Sequence, residues 1–245
     1  MFNTVKDAAN IGLSLTGRYS ARYRDIWIKR AAWVEQEDKT LIPQWSRTHN
    51  ALIIQVSKAA GSSLKAALFE DEKVEAHCPA SAYRAIDPDF YAQAFVFAFV
   101  RNPWDRLVSA FHHIRFKDYP YNRTVVKEDF SDIEDFDTFL DRLRGFAFRH
   151  KMLTRMHFMP QTYFICDRTG EIIADRICRF ERLQTEYQSL SEHFPTPKAL
   201  PTINTGKQAS KDYRSFYKQD WAVDLVRSMY ARDCDLFDYS FELAS

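Results

Sequence analysis

The sequence predicts an α/β fold in which a central, mostly parallel sheet is flanked by helices. Two observations support this prediction. Residues 51–56 (ALIIQV) and 95–100 (FVFAFV) are almost continuously apolar, which is typical of strands that are buried on both faces of a parallel sheet. Each run is followed by a short polar loop and then by apolar residues at helical spacing, so the order strand, loop, helix occurs twice.

Composition limits the class of protein. The 245 residues are 46% hydrophobic and 15% aromatic, and the net charge is +1, which fits a globular protein without the basic field of a nucleic-acid-binding protein. The four cysteines form no C-x-x-C pair, so we expect reduced thiols and a cytoplasmic location rather than a zinc site or a disulfide framework. No apolar run approaches the roughly 20 residues of a transmembrane helix, and the N-terminus lacks a signal-peptide core.

Residues 1–48 are predicted to form a helical, somewhat basic N-terminal extension. Tyr19, Tyr23, Ile26, Trp27 and Arg30 recur at spacings of three and four residues, which places them on one helical face. We expect this face to dock on the rest of the protein, although a helix lying on a membrane surface is an alternative. Residues 49–245 are then expected to form a single domain.

The loop after the first strand, residues 57–63 (SKAAGSS), has the composition of an anion site. Gly61 permits a close turn, Ser62 and Ser63 carry hydroxyl groups, and Lys58 adds a positive charge. Backbone N–H groups of such a loop, together with the positive end of the following helix, bind phosphate-like groups. The alternative is an ordinary strand-to-helix turn capped by a serine.

The second run is followed by a well-defined helix start. Asn102 is a good N-cap and Pro103 suits the first helical position. Arg101 therefore stands at the carboxyl end of a strand, where open α/β sheets bind ligands. Ser109 lies on the polar side of the helix, away from the apolar stripe formed by Trp104, Leu107, Val108 and Phe111.

The later elements are predicted from periodicity and turn residues. Residues 130–143 and 183–194 indicate helices, and residues 213–230 close the fold with a further apolar face. Residues 163–181 suggest a β-hairpin with its turn at residues 167–170 (DRTG). The stretch 195–210 contains prolines and is predicted to be a loop that could close over a ligand. Lys207 in this loop is a candidate contact for an anion.

Two segments resemble a known family. SKAAGSSL is similar to the 5′-phosphosulfate loop, and FVRNPWDRLVSAF to the 3′-phosphate segment, of sulfotransferases that use 3′-phosphoadenylyl sulfate (PAPS). The best match is the carbohydrate (family 2) sulfotransferases in their soluble bacterial form. HFMPQ at 157–161 and DRICRFERL at 175–183 continue the resemblance, which spans roughly residues 50–240. It implies a P-loop-like, three-layer sulfotransferase fold.

The resemblance also implies roles for individual residues. Lys58 would act in catalysis as well as in donor binding, and His77 lies where relatives carry their general base. The donor-binding residues that the resemblance and the loop pattern imply are Lys58, Ala60, Gly61, Ser62, Ser63, Leu64, Arg101, Ser109 and Lys207. Candidates for acceptor contact are His112, His113, His157 and Gln161, of which His112 and His113 are also the alternative bases. The chain departs from the family at Ser57, where proline is common, and at Ala59, where a hydroxyl residue is common.

The predicted reaction is transfer of a sulfuryl group from PAPS to an acceptor hydroxyl without a metal ion. A glycan acceptor is favoured, a lipid or small alcohol is open, and no nucleic-acid partner is expected. A P-loop kinase is the first alternative, but its motif has lysine after the second glycine, whereas Lys58 precedes Gly61. A catalytically silent nucleotide-binding or scaffold protein with the same fold is the second alternative, and turnover with PAPS distinguishes it.

Overall fold

The structure is a computed structural model, and it describes residues 4–15, 18–34, 40–69, 73–74, 77–194, 199–200 and 212–242. The strands are β1 (Ala51–Ile54), β2 (Phe95–Val100) and β3 (Arg176–Arg179). The α-helices are α1 (Thr4–Leu15), α2 (Tyr19–Val34), α3 (Gln44–His49), α4 (Gly61–Leu68), α5 (Ala80–Ile86), α6 (Pro88–Gln93), α7 (Pro103–Phe116), α8 (Pro120–Asp129), α9 (Phe136–Arg144), α10 (Phe146–Met152), α11 (Thr162–Ile165), α12 (Leu183–Ser189), α13 (Asp220–Met229) and α14 (Ala231–Leu236). Short 3₁₀ turns occupy Phe180–Arg182, Leu190–Glu192 and Tyr213–Phe216.

The three strands form one parallel sheet in the order β1-β2-β3. Ala51 pairs with Phe95, and Phe97 pairs with Arg176 on the other side of β2. All four residues of β1 are buried, as are the last five of β2. The prediction of parallel strands buried on both faces is therefore confirmed, as is the α/β class.

The predicted hairpin at residues 163–181 is wrong in its first arm and in its pairing, whereas its second arm, residues 172–180, contains strand β3. Its first arm is helical at α11, and the hairpin pairing is reduced to one antiparallel bridge between Cys166 and Ile172. The turn itself forms, because Asp167 Oδ1 accepts from the N–H groups of Thr169 and Gly170 at 2.9 and 3.1 Å. The chain then continues to β3, which pairs with β2 instead of folding back on the α11 segment.

The described residues group into two compact units. The sheet unit takes its residues from Gly17–Arg101 and Pro160–Ile203, and the helical unit from Met1–Thr16, Asn102–Met159 and Asn204–Ala244. The predicted division at residue 48, with one domain after it, stays a prediction. No described helix is both long enough and apolar enough to span a membrane, and the cytoplasmic location also stays a prediction.

In the sheet unit, α2 packs through the predicted aromatic face. Tyr19, Tyr23 and Trp27 are buried, whereas Ile26 is 43% exposed. The ring of Tyr23 meets that of Phe164 edge-on at 5.7 Å. The expectation that this helix docks by its aromatic residues is confirmed, whereas the inclusion of Ile26 in the buried face was wrong.

The helical unit has its own core around α7. Asn102 caps this helix, since its Oδ1 accepts from the Trp104 N–H at 3.1 Å, and Pro103 is the first helical residue, as predicted. The predicted helix at 130–143 begins later, at Phe136. Its inward residues are nevertheless those expected, namely Phe136, Phe139, Leu140 and Leu143.

Candidate functional site

The loop between β1 and α4 has an unusual backbone. Lys58 and Ala60 have φ values of 65° and 66°, in the left-handed region, and Ala59 between them does not. Such a conformation costs a non-glycine residue about 1–2 kcal/mol, and strain of this kind clusters at ligand sites. Left-handed residues in a turn of this kind are typical of an anion-binding nest. In this nest the Ala59 N–H is already used, because it donates to the Val56 carbonyl at 3.3 Å.

The start of α4 extends this nest. The N-cap residue Ala60 supplies no side-chain hydrogen bond, and the first N–H groups of a helix have no acceptor within the helix itself. Ser62 is exposed and Ser63 is half-buried, so both hydroxyl groups lie near the surface. Leu64 differs, because its N–H donates to the Ala60 carbonyl at 3.1 Å and its side chain is buried.

Gly61 does not form the close turn that the sequence suggested. It is the first residue of α4, and the left-handed positions are Lys58 and Ala60 instead. A Cβ added to Gly61 would meet only Gln55 Oε1 at 3.8 Å, an ordinary van der Waals contact. The folded chain therefore accommodates a side chain at Gly61, and any need for glycine there would come from a ligand.

Ser57 leaves a polar atom unsatisfied at the base of the loop. The residue is fully buried, and its Oγ has no hydrogen-bond partner among the described residues. Burial of such a group costs about 1–3 kcal/mol. A buried hydroxyl beside the nest is consistent with a site that completes its hydrogen bonds when an oxyanion binds.

Arg101 joins the two segments that the sequence singled out. Its guanidinium donates from Nη1 to the main-chain carbonyl of Lys58 at 3.1 Å. The same group lies 4.1 Å from the centre of the Phe180 ring, within the range of a cation–π contact. The carboxyl ends of β1, β2 and β3 thus contribute Lys58, Arg101 and Phe180 to one cluster in the sheet unit.

Gln161 holds the main chain of Arg101. Its Oε1 accepts from the Arg101 N–H at 2.9 Å, and its Nε2 donates to the Arg101 carbonyl at 2.8 Å. The side chain is fully buried. This geometry gives Gln161 a positioning role beneath the site, distinct from the acceptor contact that the sequence suggested.

His77 lies beside the same loop. Its Nδ1 is 2.9 Å from the carbonyl oxygen of Gln55, and its own carbonyl accepts from the Tyr23 hydroxyl at 2.9 Å. Because a carbonyl only accepts, the Nδ1 atom carries the proton and Nε2 carries the lone pair in the neutral ring. The residue has a φ of 70° and is half-buried, so the backbone fixes a partly accessible imidazole three residues before α5.

The other candidate residues lie in the helical unit. Ser109 is half-buried on α7. The rings of His113 and His157 are 4.7 Å apart, and Tyr121 is 5.4 Å from His157. His112 instead lies 5.2 Å from the ring of Phe216, and burial lowers its pKa below the ordinary value of 6.5. His113 and His157 are therefore brought together and His112 is not, while Lys207 lies outside the described residues.

Two residues of the motifs have roles that sequence reasoning missed. Arg106 is 1% exposed and donates to the carbonyls of His157 and Met159 at 3.4 and 2.7 Å. The sequence did contain a signal for this role of Arg106, because a residue four positions after the N-cap Asn102 lies on the inner face of α7. Phe180 directly follows β3, and its position at a strand's carboxyl end was the available signal for its contact with Arg101.

Comparison with known proteins gives one match. The model of the Sulfotransferase family matches residues 45–240, which include β1, the loop, β2, β3 and most of the helical unit. No curated protein and no solved structure matches the chain. The family match covers most of the chain and contains both segments described above, so the chain belongs to the Sulfotransferase family and is a sulfotransferase of the family 2 type.

Proposed function

We propose that the chain transfers the sulfuryl group of PAPS to an acceptor hydroxyl, with a glycan as the favoured acceptor. The observation that most directly supports PAPS as the sulfuryl donor is the hydrogen bond from Arg101 to the Lys58 carbonyl. It joins the residue assigned to the 3′-phosphate with the loop assigned to the 5′-phosphosulfate. A donor with oxyanions at both positions matches this pair of segments.

The residues around the loop fit such a donor. The alternating left-handed backbone at Lys58 and Ala60 and the first turn of α4 offer N–H groups to the 5′-phosphate. The unsatisfied Ser57 hydroxyl and the accessible hydroxyls of Ser62 and Ser63 add donors. Arg101 and Ser109 are proposed to hold the 3′-phosphate.

When bound, the donor supplies a sulfuryl group whose bond to the 5′-phosphate oxygen breaks as a bond to the acceptor oxygen forms. The Lys58 ammonium is proposed to offset negative charge that develops on the departing oxygen, which is the type of electrostatic stabilisation that contributes most in transfer reactions of this kind. Arg101 and the left-handed φ restrain the main chain of Lys58, which sets the point from which its side chain leaves the loop.

His77 is proposed to accept the proton of the acceptor hydroxyl. The Gln55 carbonyl selects the tautomer with its lone pair on Nε2. Gln55 lies three residues before Lys58 in the sequence, so the proposed base and the proposed cation are anchored on the same segment after β1. His112 is a weaker candidate, since it packs against phenylalanine rings in the helical unit.

The test combines binding and turnover. We expect adenosine 3′,5′-bisphosphate to bind in the presence of a metal chelator, as measured by calorimetry. We also expect labelled PAPS to transfer its label to at least one member of a panel of oligosaccharides, lipids and small alcohols. Binding without transfer to any class would favour a catalytically silent protein, and binding that requires Mg²⁺ would contradict the proposed donor site.

A further inference from the structure

Helix α2 lies outside the residues that the family model matches, yet it contacts the segment that carries His77. The match covers residues 45–240, whereas α2 is Tyr19–Val34. Both α2 and His77 belong to the sheet unit. The hydroxyl of Tyr23 on α2 donates to the His77 carbonyl at 2.9 Å. The motifs that carry the family resemblance therefore do not include this contact.

Aromatic packing holds Tyr23 and His77 against one common ring. The centre of the Tyr23 ring lies 5.7 Å from that of Phe164, with the two planes at 77°. The Phe164 ring also lies 6.4 Å from the imidazole of His77, with the planes at 67°. Phe164 is fully buried on α11. The hydrogen bond from Tyr23 to His77 is thus formed between two residues that are already packed on a fixed neighbour.

The main chain of His77 needs such support, because its conformation is unfavourable. Its φ of 70° is in the left-handed region, which costs a non-glycine residue about as much free energy as one hydrogen bond contributes. Residues in this conformation persist where the surrounding contacts hold them. The Tyr23 hydroxyl holds the His77 carbonyl, and the Gln55 carbonyl holds the ring through Nδ1 at 2.9 Å. Loss of the Tyr23 hydroxyl would therefore leave the strained main chain with one support fewer.

We propose that Tyr23 is a positioning residue for the reaction, which keeps the His77 imidazole in the orientation and tautomer of a general base. The proposal rests on the proposed function of His77. The Tyr23 hydroxyl fixes the main chain from which the ring leaves, so the ring keeps its Nδ1–H on the Gln55 carbonyl and its lone pair on Nε2. An error of about 1 Å in the place of a reacting group can lower a rate about 10²-fold. The N-terminal helical extension then has a part in catalysis as well as a docked face.

The first experiment measures the tautomer of His77 by NMR. Tyr23→Phe removes the hydroxyl and keeps the ring against Phe164. Spectra of the ¹⁵N-labelled chain are recorded at about pH 8.5, two units above the ordinary histidine pKa, and the His77 signals are assigned from their loss in His77→Ala. We expect the Nδ1–H form in the native chain and a mixture of both tautomers in Tyr23→Phe. An unchanged Nδ1–H form in Tyr23→Phe would overturn the proposal.

The second experiment measures turnover with labelled PAPS and the panel of oligosaccharides, lipids and small alcohols. Tyr23→Phe should lower kcat about three- to tenfold, the effect expected for one lost hydrogen bond, and should leave the Kd of adenosine 3′,5′-bisphosphate unchanged. Because Tyr23 acts through His77, Tyr23→Phe should have no further effect on the residual rate of His77→Ala. An equal loss in both backgrounds would show that the role of Tyr23 is only structural.

Tyr83→Phe is the matched control in both experiments. Tyr83 is 4% exposed and Tyr23 is 7% exposed, and the Tyr83 hydroxyl donates to the Leu41 carbonyl at 3.1 Å. This variant should change neither the His77 tautomer nor kcat, and effects equal to those of Tyr23→Phe would contradict the proposal. If no member of the panel accepts the label, the proposed function fails, whereas the His77 tautomer still decides whether Tyr23 positions the ring.

Discussion

Replacement of Gln161 by leucine tests whether the Gln161 amide fixes the main chain of Arg101 through its two hydrogen bonds. Both polar atoms of the Gln161 amide bond to Arg101, at 2.9 and 2.8 Å, and the residue is fully buried. Leucine has a similar volume and offers neither a donor nor an acceptor. The Arg101 N–H and carbonyl therefore both lose a partner in Gln161→Leu.

The expected magnitude follows from those two bonds. A buried group left unsatisfied costs about 1–3 kcal/mol, or about 2–6 kcal/mol for two. The apolar leucine side chain recovers about 1–2 kcal/mol through burial. The free energy of unfolding should thus fall by about 1–4 kcal/mol, a large fraction of the 5–15 kcal/mol that is typical of folded proteins.

Urea denaturation followed by circular dichroism measures this loss as a lower transition midpoint at an unchanged slope. Gln93→Leu is the matched control, because Gln93 is exposed and its amide donates to the Asp89 carbonyl at 3.1 Å on the surface of α6. We expect that control to change the midpoint little. Equal midpoints for Gln161→Leu and Gln93→Leu would refute the positioning role of Gln161. The affinity for adenosine 3′,5′-bisphosphate should also fall in Gln161→Leu alone, since Arg101 would no longer be fixed.

Further outcomes follow from the loop and the histidines. Arg101→Ala should chiefly raise the Kd of adenosine 3′,5′-bisphosphate, whereas Lys58→Ala should lower kcat with donor saturating; equal losses of affinity with unchanged kcat would contradict the role of Lys58. Ala60→Gly should raise the urea midpoint, because glycine relieves about 1–2 kcal/mol of left-handed strain and loses about 0.4–1 kcal/mol to unfolded-chain entropy; a lower midpoint would argue against that backbone conformation. His77→Ala should keep donor binding and lose about 10²–10⁴-fold in turnover, with the acidic limb of the pH–rate profile gone. Near-normal turnover would contradict the assignment of His77 as the general base. Since burial lowers the folded-state pKa of His112, protonation favours the unfolded chain, and the free energy of unfolding falls as pH drops below about 6.5. His112→Leu should reduce that fall between pH 7.5 and pH 5.5, as measured by urea titrations at the two pH values. An unchanged fall would show that groups other than His112 cause the pH dependence of stability.

The parts of the fold that sequence predicted are those set by local pattern. Strands β1 and β2 were identifiable because both are buried on two faces, and such strands carry unbroken apolar runs. The start of α7 was identifiable because the N-cap and the first-position proline act over neighbouring residues.

Strand β3 was predicted as the second arm of a hairpin, but its pairing with β2 was not. It is the last strand in the order β1-β2-β3, and only Cys178 of its four residues is buried. Arginines occupy its first and last positions, so no apolar run marks it. Its partner β2 lies about 80 residues earlier in the chain, and turn chemistry at Asp167 instead suggested a local hairpin.

In the candidate site too, contiguous motifs were predicted and contacts between distant residues were not. The loop and Arg101 were predicted because each is a contiguous motif. The contacts that hold them join distant residues, as Gln161 to Arg101 and Arg101 to Phe180 do, and no periodicity reports such pairs. The left-handed φ of Lys58 and Ala60 was also hidden, because glycine is the residue that usually signals it and Gly61 stands one position too late.

The way in which Arg101 is bonded decides what the loop variants measure. Its guanidinium donates to the carbonyl of Lys58 and not to the lysine side chain. Removal of that side chain in Lys58→Ala therefore keeps the link between the end of β2 and the loop, and it takes away the ammonium with its aliphatic stem. Arg101→Ala breaks the link and removes a cation at once. A loss of turnover in Lys58→Ala would accordingly support the proposed role of Lys58 at the reacting oxygen, whereas a loss of affinity in Arg101→Ala would combine loss of the proposed phosphate contact with release of the loop. Arg101→Lys separates these two effects, because it keeps a positive charge but cannot reproduce the planar guanidinium that both stacks on Phe180 and reaches the Lys58 carbonyl.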